Sequence, residues 1–504
     1  MKKLRVLLVL VLVIAFVFTG CAGTAVSEET TDAATTEDAT AETELEHVEL
    51  TWYYIGSPQA GAEEVFARAN EIIEAQINAT VNFQCIDWGS YDDKMNLMIN
   101  AGEEFDICFT SNWSNDYVQN VKKNAFIPLD DLLDEYAPTL RSMVPDAFWD
   151  ATRVEGEIYG IINYQISTMT NAITINKALA DKYGFDVNSI QEFEDIEPFL
   201  ATLAENESGV IPINNYAKAG SIWGLHLARV GFDEIAGRNI PGVVRIEDDS
   251  LTVINQFESD EFVEFATLMS DWYDAGYIRS DAISINDDTA DMQAGNIGVY
   301  MESNYSPSSE VDNFAKWGFE TYAVPISEPV LLTSSIIATM QGISRTSKNP
   351  ERAMMLMELV NTNVELYNLL SYGIEGEHYE MLEDGTIRLM ADSDYNPGTK
   401  WLFGSTGNAY LLEGSDPDVW EKTLEMNESG IPSPLLGFTF DPEPVNAQIA
   451  QCNSVVDEYI AAIDTGSMDT DEILPEFQEK LRNAGAQDII DEMQRQINEW
   501  AKTK

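Results

Sequence analysis

Hydrophobic and polar positions follow two distinct periods in the early part of the chain. Residues 47–55 and 80–86 carry apolar side chains at alternating positions, which predicts strands. Residues 62–76 and 92–101 carry them at three- and four-residue spacing, which predicts helices. A short apolar strand follows at 105–109. Alternation of strand and helix at this spacing predicts an α/β fold with a parallel sheet and crossover helices.

The loops after these three strands are candidates for a binding site, because ligands of such sheets bind at the carboxyl ends of the strands. The loops hold aromatic rings, hydroxyl groups and an amide, which is typical of a site for a sugar-like ligand. Some of these rings could instead pack in the core, and Trp113, next to Ser and Asn, is the least suited to a core position. The candidate residues are Tyr54, Trp88, Ser111, Asn112 and Trp113.

The N-terminus has the order of a signal peptide. Basic residues at positions 2, 3 and 5 precede an apolar run at 7–18, which is shorter than the roughly 20 residues of a membrane span. The run ends in Phe18-Thr19-Gly20-Cys21, which resembles the lipobox of bacterial lipoproteins, although Leu is more usual than Phe18. The resemblance implies cleavage before Cys21, whose thiol then carries a diacylglyceryl group, with palmitate as an expected acyl chain. An ordinary signal peptide with an incidental cysteine is the alternative.

Residues 21–46 form an acidic segment without an aromatic side chain, and no Lys or Arg occurs between Arg5 and Arg68. Such a segment cannot bury enough apolar surface to fold, so we expect a disordered tether. No later apolar stretch has spanning length. We therefore expect a protein that is lipid-anchored at the outer, extracellular face of the cell membrane and does not cross it.

Composition narrows the functional classes. The chain has 504 residues and a formal net charge of −58, which argues against binding to nucleic acid or lying flat on anionic lipid. The three cysteines after Cys21 are an odd number, no Cys-x-x-Cys pair occurs, and the three histidines are scattered. A disulfide is possible but nothing requires one. We expect no metal and no cofactor.

Four motifs occur in a familiar order. Residues 156–161, 174–177, 295–301 and 342–353 resemble segments of family 1 extracellular solute-binding proteins, in which the first and third carry the chain between two lobes. Residues 372–379 and 437–445 resemble a lipoprotein branch with an extra C-terminal domain of uncharacterised role.

The resemblance implies a two-lobed, periplasmic-binding-protein-like (type II) α/β fold with hinge strands between the lobes and an α-rich C-terminal extension. A monomer of this kind closes on a solute, most simply a carbohydrate or oligosaccharide, and delivers it to the membrane subunits of an ABC importer without catalysis. The expected boundaries are 1–20 for the signal peptide, 21–46 for the tether, 47–166 and 301–334 for lobe 1, 167–300 and 335–390 for lobe 2, and 391–504 for an extension packed on lobe 2.

The resemblance also adds candidates from the crossings and the second lobe. They are Tyr164 and Gln165 at the first crossing, Trp223 in the second lobe, and Tyr300 and Glu302 at the second crossing. Trp401 and Phe403 are either further site residues or core of the extension.

Two other functions are open. An extracellular glycoside hydrolase needs a pair of carboxylates, and no first-lobe loop pairs two acids beside the aromatic residues. A binder of peptides or another non-sugar solute would use the same fold, and sequence does not separate it from a carbohydrate binder.

Overall fold

The computed structural model describes residues 45–215, 222–285, 288–302 and 304–502. The expected signal peptide, the lipidation residue Cys21 and nearly all of the tether lie outside these residues. Within them, no helix combines the length and the apolar character that crossing a membrane requires.

The strands are short except for the first two. In chain order the described residues contain β1 (Val48–Ile55), β2 (Ala79–Ile86), β3 (Ile107–Thr110), β4 (Arg153–Val154), β5 (Glu157–Ile158), β6 (Gly160–Ile162), β7 (Ala172–Asn176), β8 (Ile211–Ile213), β9 (Phe232–Glu234), β10 (Gly242–Arg245), β11 (Ile254–Asn255), β12 (Ile297–Glu302), β13 (Thr321–Pro325), β14 (Val330–Leu331), β15 (Met340–Ile343), β16 (Tyr379–Met381), β17 (Ile387–Leu389) and β18 (Ile431–Pro432).

The helices are longest near the C-terminus. They are α1 (Ala62–Ile77), α2 (Tyr91–Ala101), α3 (Tyr117–Lys122), α4 (Asp130–Tyr136), α5 (Pro138–Met143), α6 (Asp146–Ala151), α7 (Lys177–Tyr183), α8 (Glu197–Asn206), α9 (Ile222–His226), α10 (Asp260–Asp274), α11 (Thr289–Gln293), α12 (Ser309–Trp317), α13 (Thr333–Ile336), α14 (Pro350–Thr362), α15 (Val364–Tyr372), α16 (Val419–Ser429), α17 (Asn446–Asp464), α18 (Thr470–Ala484) and α19 (Ala486–Trp500).

The first lobe is built on a five-stranded sheet in the order β2-β1-β3-β15-β6. Strand β1 pairs in parallel with β2 and β3, with α1 and α2 as the crossovers, so the predicted parallel sheet is confirmed. Because parallel strands point the same way, the loops after β2 and β3 leave the same edge of the sheet. Strand β15 is antiparallel to β3 and β6. Helices α14 and α15 pack in the same hydrophobic core.

The second lobe contains a four-stranded sheet, β13-β7-β12-β8, and a three-stranded sheet, β11-β10-β9. Both contribute to one hydrophobic core with α10 and the C-terminal helices α17, α18 and α19. The pattern of α19 shows why it packs there: Ile489, Ile490, Met493 and Ile497 recur at helical spacing and are all buried. The fold is therefore two-lobed and α/β, with a helical extension, as the sequence predicts.

Within the described part of the chain, three segments connect the lobes, at 163–171, 326–339 and 430–435. They are hydrogen-bonded side by side near their middles. Met169 and Val330 exchange both backbone bonds, at 2.7 and 2.9 Å, and Ile431 N donates to Pro329 O at 2.9 Å. Strands β14 and β18 pair in parallel in this region. The hinge therefore consists of three chain segments that are hydrogen-bonded to one another.

Two assignments made from the sequence differ from the observed pairing. The predicted second crossing, 295–301, contains most of β12, which lies inside the second sheet between β7 and β8. Consequently β13, expected in lobe 1, pairs with β7 of the second lobe, and β15, expected in lobe 2, pairs with β3 and β6 of the first. The local sequence of a short apolar strand does not indicate which sheet the strand joins, because its pairing depends on residues that are distant in the sequence.

The C-terminal extension is divided between the lobes. Leu402 and Phe403 are buried in the core of the first lobe, whereas α17–α19 are part of the second-lobe core. The expectation that 391–504 packs on lobe 2 therefore describes only its helical end.

The described residues show neither a disulfide nor a cluster that could bind a metal ion. Cys85, Cys108 and Cys452 are all free. Over the four described stretches of chain, no group of three or more His, Cys, Asp or Glu side chains is placed to hold a metal ion.

Candidate ligand-binding cleft

A cavity of about 780 Å³ lies between the lobes. Trp113 lines it from the first lobe and Ala338 from the second connecting segment, whereas Glu234 and Arg238, in and after β9, line it from the second lobe. Its size is within the range of small-molecule sites, roughly 300–1,000 Å³. Most of its polar residues carry neutral amide or hydroxyl groups: Asn112, Asn163, Gln165, Asn239, Asn304, Asn453, Ser167, Ser334, Ser335 and Thr339.

Three tryptophans form an aromatic wall next to this cavity. The rings of Trp88 and Trp113 are stacked, with centroids 6.3 Å apart and an interplanar angle of 23°. The Trp401 ring lies 6.2 Å from each of them. Trp88 and Trp113 are 45% and 48% exposed, although large rings are usually buried. An exposed aromatic surface beside a polar cavity is typical of a binding site.

The loop that carries Trp113 is held by a network of hydrogen bonds. The Ser111 hydroxyl accepts from the backbone N–H of Trp113 at 3.2 Å and of Ser114 at 2.9 Å. Asp92 Oδ1 accepts from Ser114 Oγ at 2.6 Å. The indole Nε1 of Trp113 itself donates to the carbonyl of Ala338 at 2.8 Å. The ring therefore has a fixed orientation before a ligand arrives.

Trp401 is positioned from the core of the first lobe. Asn163 Nδ2 donates to the carbonyl of Trp401 at 3.2 Å, and Gln341 Nε2 donates to the carbonyl of Leu402 at 2.8 Å. Gln341 Oε1 in turn accepts from Trp52 Nε1 at 3.0 Å. Because Asn163 and Gln341 are buried, loss of the Asn163 amide would remove a donor to the Trp401 carbonyl, and loss of the Gln341 amide would remove the acceptor of the Trp52 indole N–H.

Charge is sparse in the cleft. Its charged lining residues are Glu234, Arg238 and Asp457. Glu234 Oε2 lies 3.9 Å from Arg238 Nε. Burial raises the pKa of the Glu234 carboxyl, and the positive charge of Arg238 opposes this rise. With two acids and one base, the cleft favours a neutral ligand over an anionic one.

Four of the predicted site residues lie at the cleft or its aromatic wall. Asn112, Trp113 and Gln165 line the cavity, and Trp88 stacks on Trp113. Ser111 is completely buried and shapes the Trp113 loop through its hydroxyl group. The sequence therefore indicated the first-lobe side of the cleft through the loops after β2 and β3.

Other predicted residues lie elsewhere. Trp223 is completely buried in the second-lobe core, where its Nε1 donates to Gln256 Oε1 at 2.7 Å. Tyr54 packs against Phe403, with ring centroids 5.3 Å apart, and both residues are buried in the first lobe. Tyr164 is buried between Phe148 and Trp420. These residues belong to the core because their rings are covered by neighbouring side chains.

Tyr300 and Glu302 lie on β12, outside the lining of the cavity. Burial raises the pKa of Tyr300 well above its ordinary value, and the neighbouring Glu302 adds to this rise. Glu302 Oε1 accepts a hydrogen bond from Asn313 of α12. The Glu302 side chain therefore has a partner within the second lobe.

The sequence did not indicate the second-lobe wall of the cleft. Glu234, Arg238 and Asn239 come from β9 and the turn before β10, and Asn453 and Asp457 come from α17. Short polar turns and helix faces of this kind are common on protein surfaces, so local sequence gives no sign that they meet a cavity.

Comparison with known families agrees with this architecture. Residues 67–371 match the family described as bacterial extracellular solute-binding protein, and residues 434–502 match a domain of unknown function, DUF3502. The chain belongs to the bacterial extracellular solute-binding proteins.

Individual relatives are similar over nearly the whole chain. A carbohydrate ABC transporter substrate-binding protein of Streptococcus pneumoniae is 30% identical over 467 residues, covering 90% of this chain and 91% of the relative. The crystal structure of the N-glycan transport solute binding protein NgtS from Streptococcus pneumoniae is 27% identical, with a TM-score of 0.80 over 90% of this chain and 99% of that one. NgtS in complex with Man5GlcNAc is 28% identical, with a TM-score of 0.71 over 90% and 99% of the two chains.

Proposed function

We propose that this protein captures an oligosaccharide in the cleft between its lobes and delivers it to an ABC importer. The observation that carries the proposal is the aromatic wall of Trp88, Trp113 and Trp401 beside a cavity lined mainly by neutral amides and hydroxyl groups. Aromatic faces cover the apolar C–H faces of sugar rings, while amides and hydroxyls pair with sugar hydroxyl groups.

The relatives favour the same ligand class. One of them is named as a carbohydrate ABC transporter protein, and the solved complexes of NgtS contain Man1GlcNAc and Man5GlcNAc. A peptide binder is less well supported, because the cleft offers few charged groups to pair with peptide termini. Neutral oligosaccharides of mannose and N-acetylglucosamine are therefore the first ligands to test.

We also propose that the protein is a lipid-anchored monomer. The lipobox-like Phe18-Thr19-Gly20-Cys21 supports lipid anchoring at the outer face of the membrane, with the acidic residues after it as a tether. A monomer suits this role, because one chain supplies both walls of the cleft. We propose a binding role without catalysis, in keeping with the solute-binding family.

Isothermal titration calorimetry of the mature protein against Man1GlcNAc, Man5GlcNAc, a fructan trisaccharide and a tripeptide tests the proposal. We expect saturable binding of at least one oligosaccharide and none of the peptide. Binding of the peptide alone would overturn the ligand class and retain the fold.

Mass spectrometry of each oligosaccharide after prolonged incubation with the protein tests the absence of catalysis. An unchanged mass supports a transport protein. Products shortened by one sugar unit would instead indicate a glycoside hydrolase.

A further inference from the structure

One face of α17 borders the ligand cleft, although this helix lies in the segment that matches a domain of unknown function. Asn453 and Asp457 line the main cavity, and Asn446 and Ile449 line an adjoining cavity of about 280 Å³. Steps of three and four residues separate these side chains, so they form one stripe along the helix.

The neighbouring face of α17 fixes this stripe in place. Cys452, Val456, Tyr459, Ile460 and Ile463 are buried in the second-lobe core. Because these residues pack against the rest of the lobe, α17 cannot rotate about its axis without exposing them to water. The face with Asn453 and Asp457 is therefore held toward the cleft by the packing of the other face.

Two amide oxygens of this wall lack partners within the described protein. Asn453 Oδ1 and Asn239 Oδ1 are both buried and, among the residues that the structure describes, neither accepts a hydrogen bond. Buried amide oxygens are normally paired, since an unpaired acceptor destabilises the folded state. Both residues line the main cavity, so a half-turn of the terminal amide would exchange its nitrogen and oxygen and bring the oxygen to the cavity surface, where the hydroxyl groups of a bound ligand are available as donors.

We propose that α17 is part of the ligand-binding surface, and that Asn453 and Asp457 accept hydrogen bonds from hydroxyl groups of the bound oligosaccharide. This inference rests on the proposed function and gives a binding role to the segment that matches DUF3502. Asp457 is exposed and carries two acceptor oxygens, so it suits a pair of neighbouring sugar hydroxyls. Its negative charge, with that of Glu234, disfavours glycans that carry carboxylates.

Calorimetry of the mature protein with Man5GlcNAc, and with any other glycan found to bind, tests the role of α17. Asn453→Ala and Asp457→Ala should each weaken binding about tenfold, the typical effect of one lost hydrogen bond of this kind. Gln451→Ala is the matched control, because Gln451 is exposed on the same helix and does not line the cavity. The Gln451→Ala variant should bind the glycan with the same affinity as the unaltered protein.

Unchanged affinity in both variants would overturn the inference and leave the proposed function intact. Failure of the unaltered protein to bind any glycan would overturn both.

Hydrogen–deuterium exchange gives a second test that needs no variant. Saturating glycan should slow exchange over residues 446–464 relative to the ligand-free protein. Unchanged exchange over α17, together with protection around Trp113, would confine the site to the other walls and overturn the inference.

Discussion

Lys400 and Asp312 form an ion pair that joins the two lobes. Lys400 Nζ lies 2.7 Å from Asp312 Oδ1 and 3.0 Å from Oδ2. Lys400 is next to Trp401, and its carbonyl accepts from the hydroxyl of Tyr367 in the first-lobe helix α15 at 2.7 Å. Asp312 is on α12, which packs on β13 of the second lobe. A second bridge, Lys122 to Asp441 at 3.2 Å, joins α3 to the extension.

We expect Lys400→Gln and Asp312→Asn to weaken ligand binding by up to about fivefold, because a partly exposed pair contributes roughly 0.2–1 kcal/mol and acts only when the lobes are close. The double variant should bind like either single variant, since the two changes remove one interaction. Calorimetry at low and high salt measures this effect. Lys348→Gln, which removes an ion pair to Glu104 within the first lobe, is the control. Equal losses in the control would show that the bridge has no special part in closure.

Trp401→Ala should reduce affinity for an oligosaccharide by about 1–3 kcal/mol, the scale of one large aromatic contact. Trp113→Ala should have an effect of similar size. Trp401→Phe should recover part of the loss, because it retains an aromatic face. Calorimetry together with quenching of tryptophan fluorescence measures the change.

Phe314→Ala serves as the matched aromatic control, because Phe314 is 51% exposed and lies outside the lining of the cavity. If the Trp401→Ala and Phe314→Ala variants bind the oligosaccharide with equal affinity, Trp401 does not contact the ligand.

Asp233 makes folding stability depend on pH. Its carboxylate is buried on β9 and accepts a hydrogen bond from Ser433 in the third crossing segment. Burial raises its pKa from 3.8 to about 7, and neighbouring Glu234 adds to this rise. Folding therefore favours the protonated carboxyl. The stabilisation from this group is complete below its unfolded pKa and is lost as the pH rises through the folded pKa.

Asp233→Asn should remove this dependence, because the amide stays neutral. Relative to the parent protein, the variant should gain stability on the order of a few kcal/mol between about pH 4 and about pH 8. Denaturant unfolding at several pH values measures the difference, and Asp249→Asn, in an exposed turn, is the control. A constant difference across this range would show that Asp233 does not titrate there.

Cys21→Ser should release the protein from membranes into the soluble fraction, because the lipid is attached through the thiol. Fractionation followed by immunoblotting detects the change. Ser27→Ala, in the expected tether, should remain in the membrane fraction. A Cys21→Ser protein that stays membrane-bound would contradict the lipid anchor.

The sequence predicted the first-lobe side of the cleft because local patterns determine it. The parallel arrangement of β1, β2 and β3 brings the loops of Trp88 and Trp113 to one edge, and alternation of strands and helices is enough to infer that arrangement. Trp401 is contributed by a segment nearly 290 positions beyond Trp113, and no period links the two.

The burial of a tryptophan is not determined by its neighbours in the sequence. Trp223 precedes Gly224 and Trp113 precedes Ser114, yet Trp223 is completely buried and Trp113 is 48% exposed. Burial of Trp223 depends on Gln256, which satisfies its indole N–H, and on aromatic neighbours from α10. Such partners are known only once the chain has folded.

The three bonded crossing segments make the C-terminal extension a mechanical part of the binding cycle. The third segment, which contains β18, is bonded to the second beside β14, and it leads directly into α17. A chain cut before residue 430 would lose one of the three hinge strands and one wall of the cavity together. Since α17 shares the second-lobe core, we expect it to move with that lobe in any hinge motion. A motion that separated the lobes would therefore withdraw the ligand contacts proposed for α17 at the same time as any contacts of the β9–β10 turn.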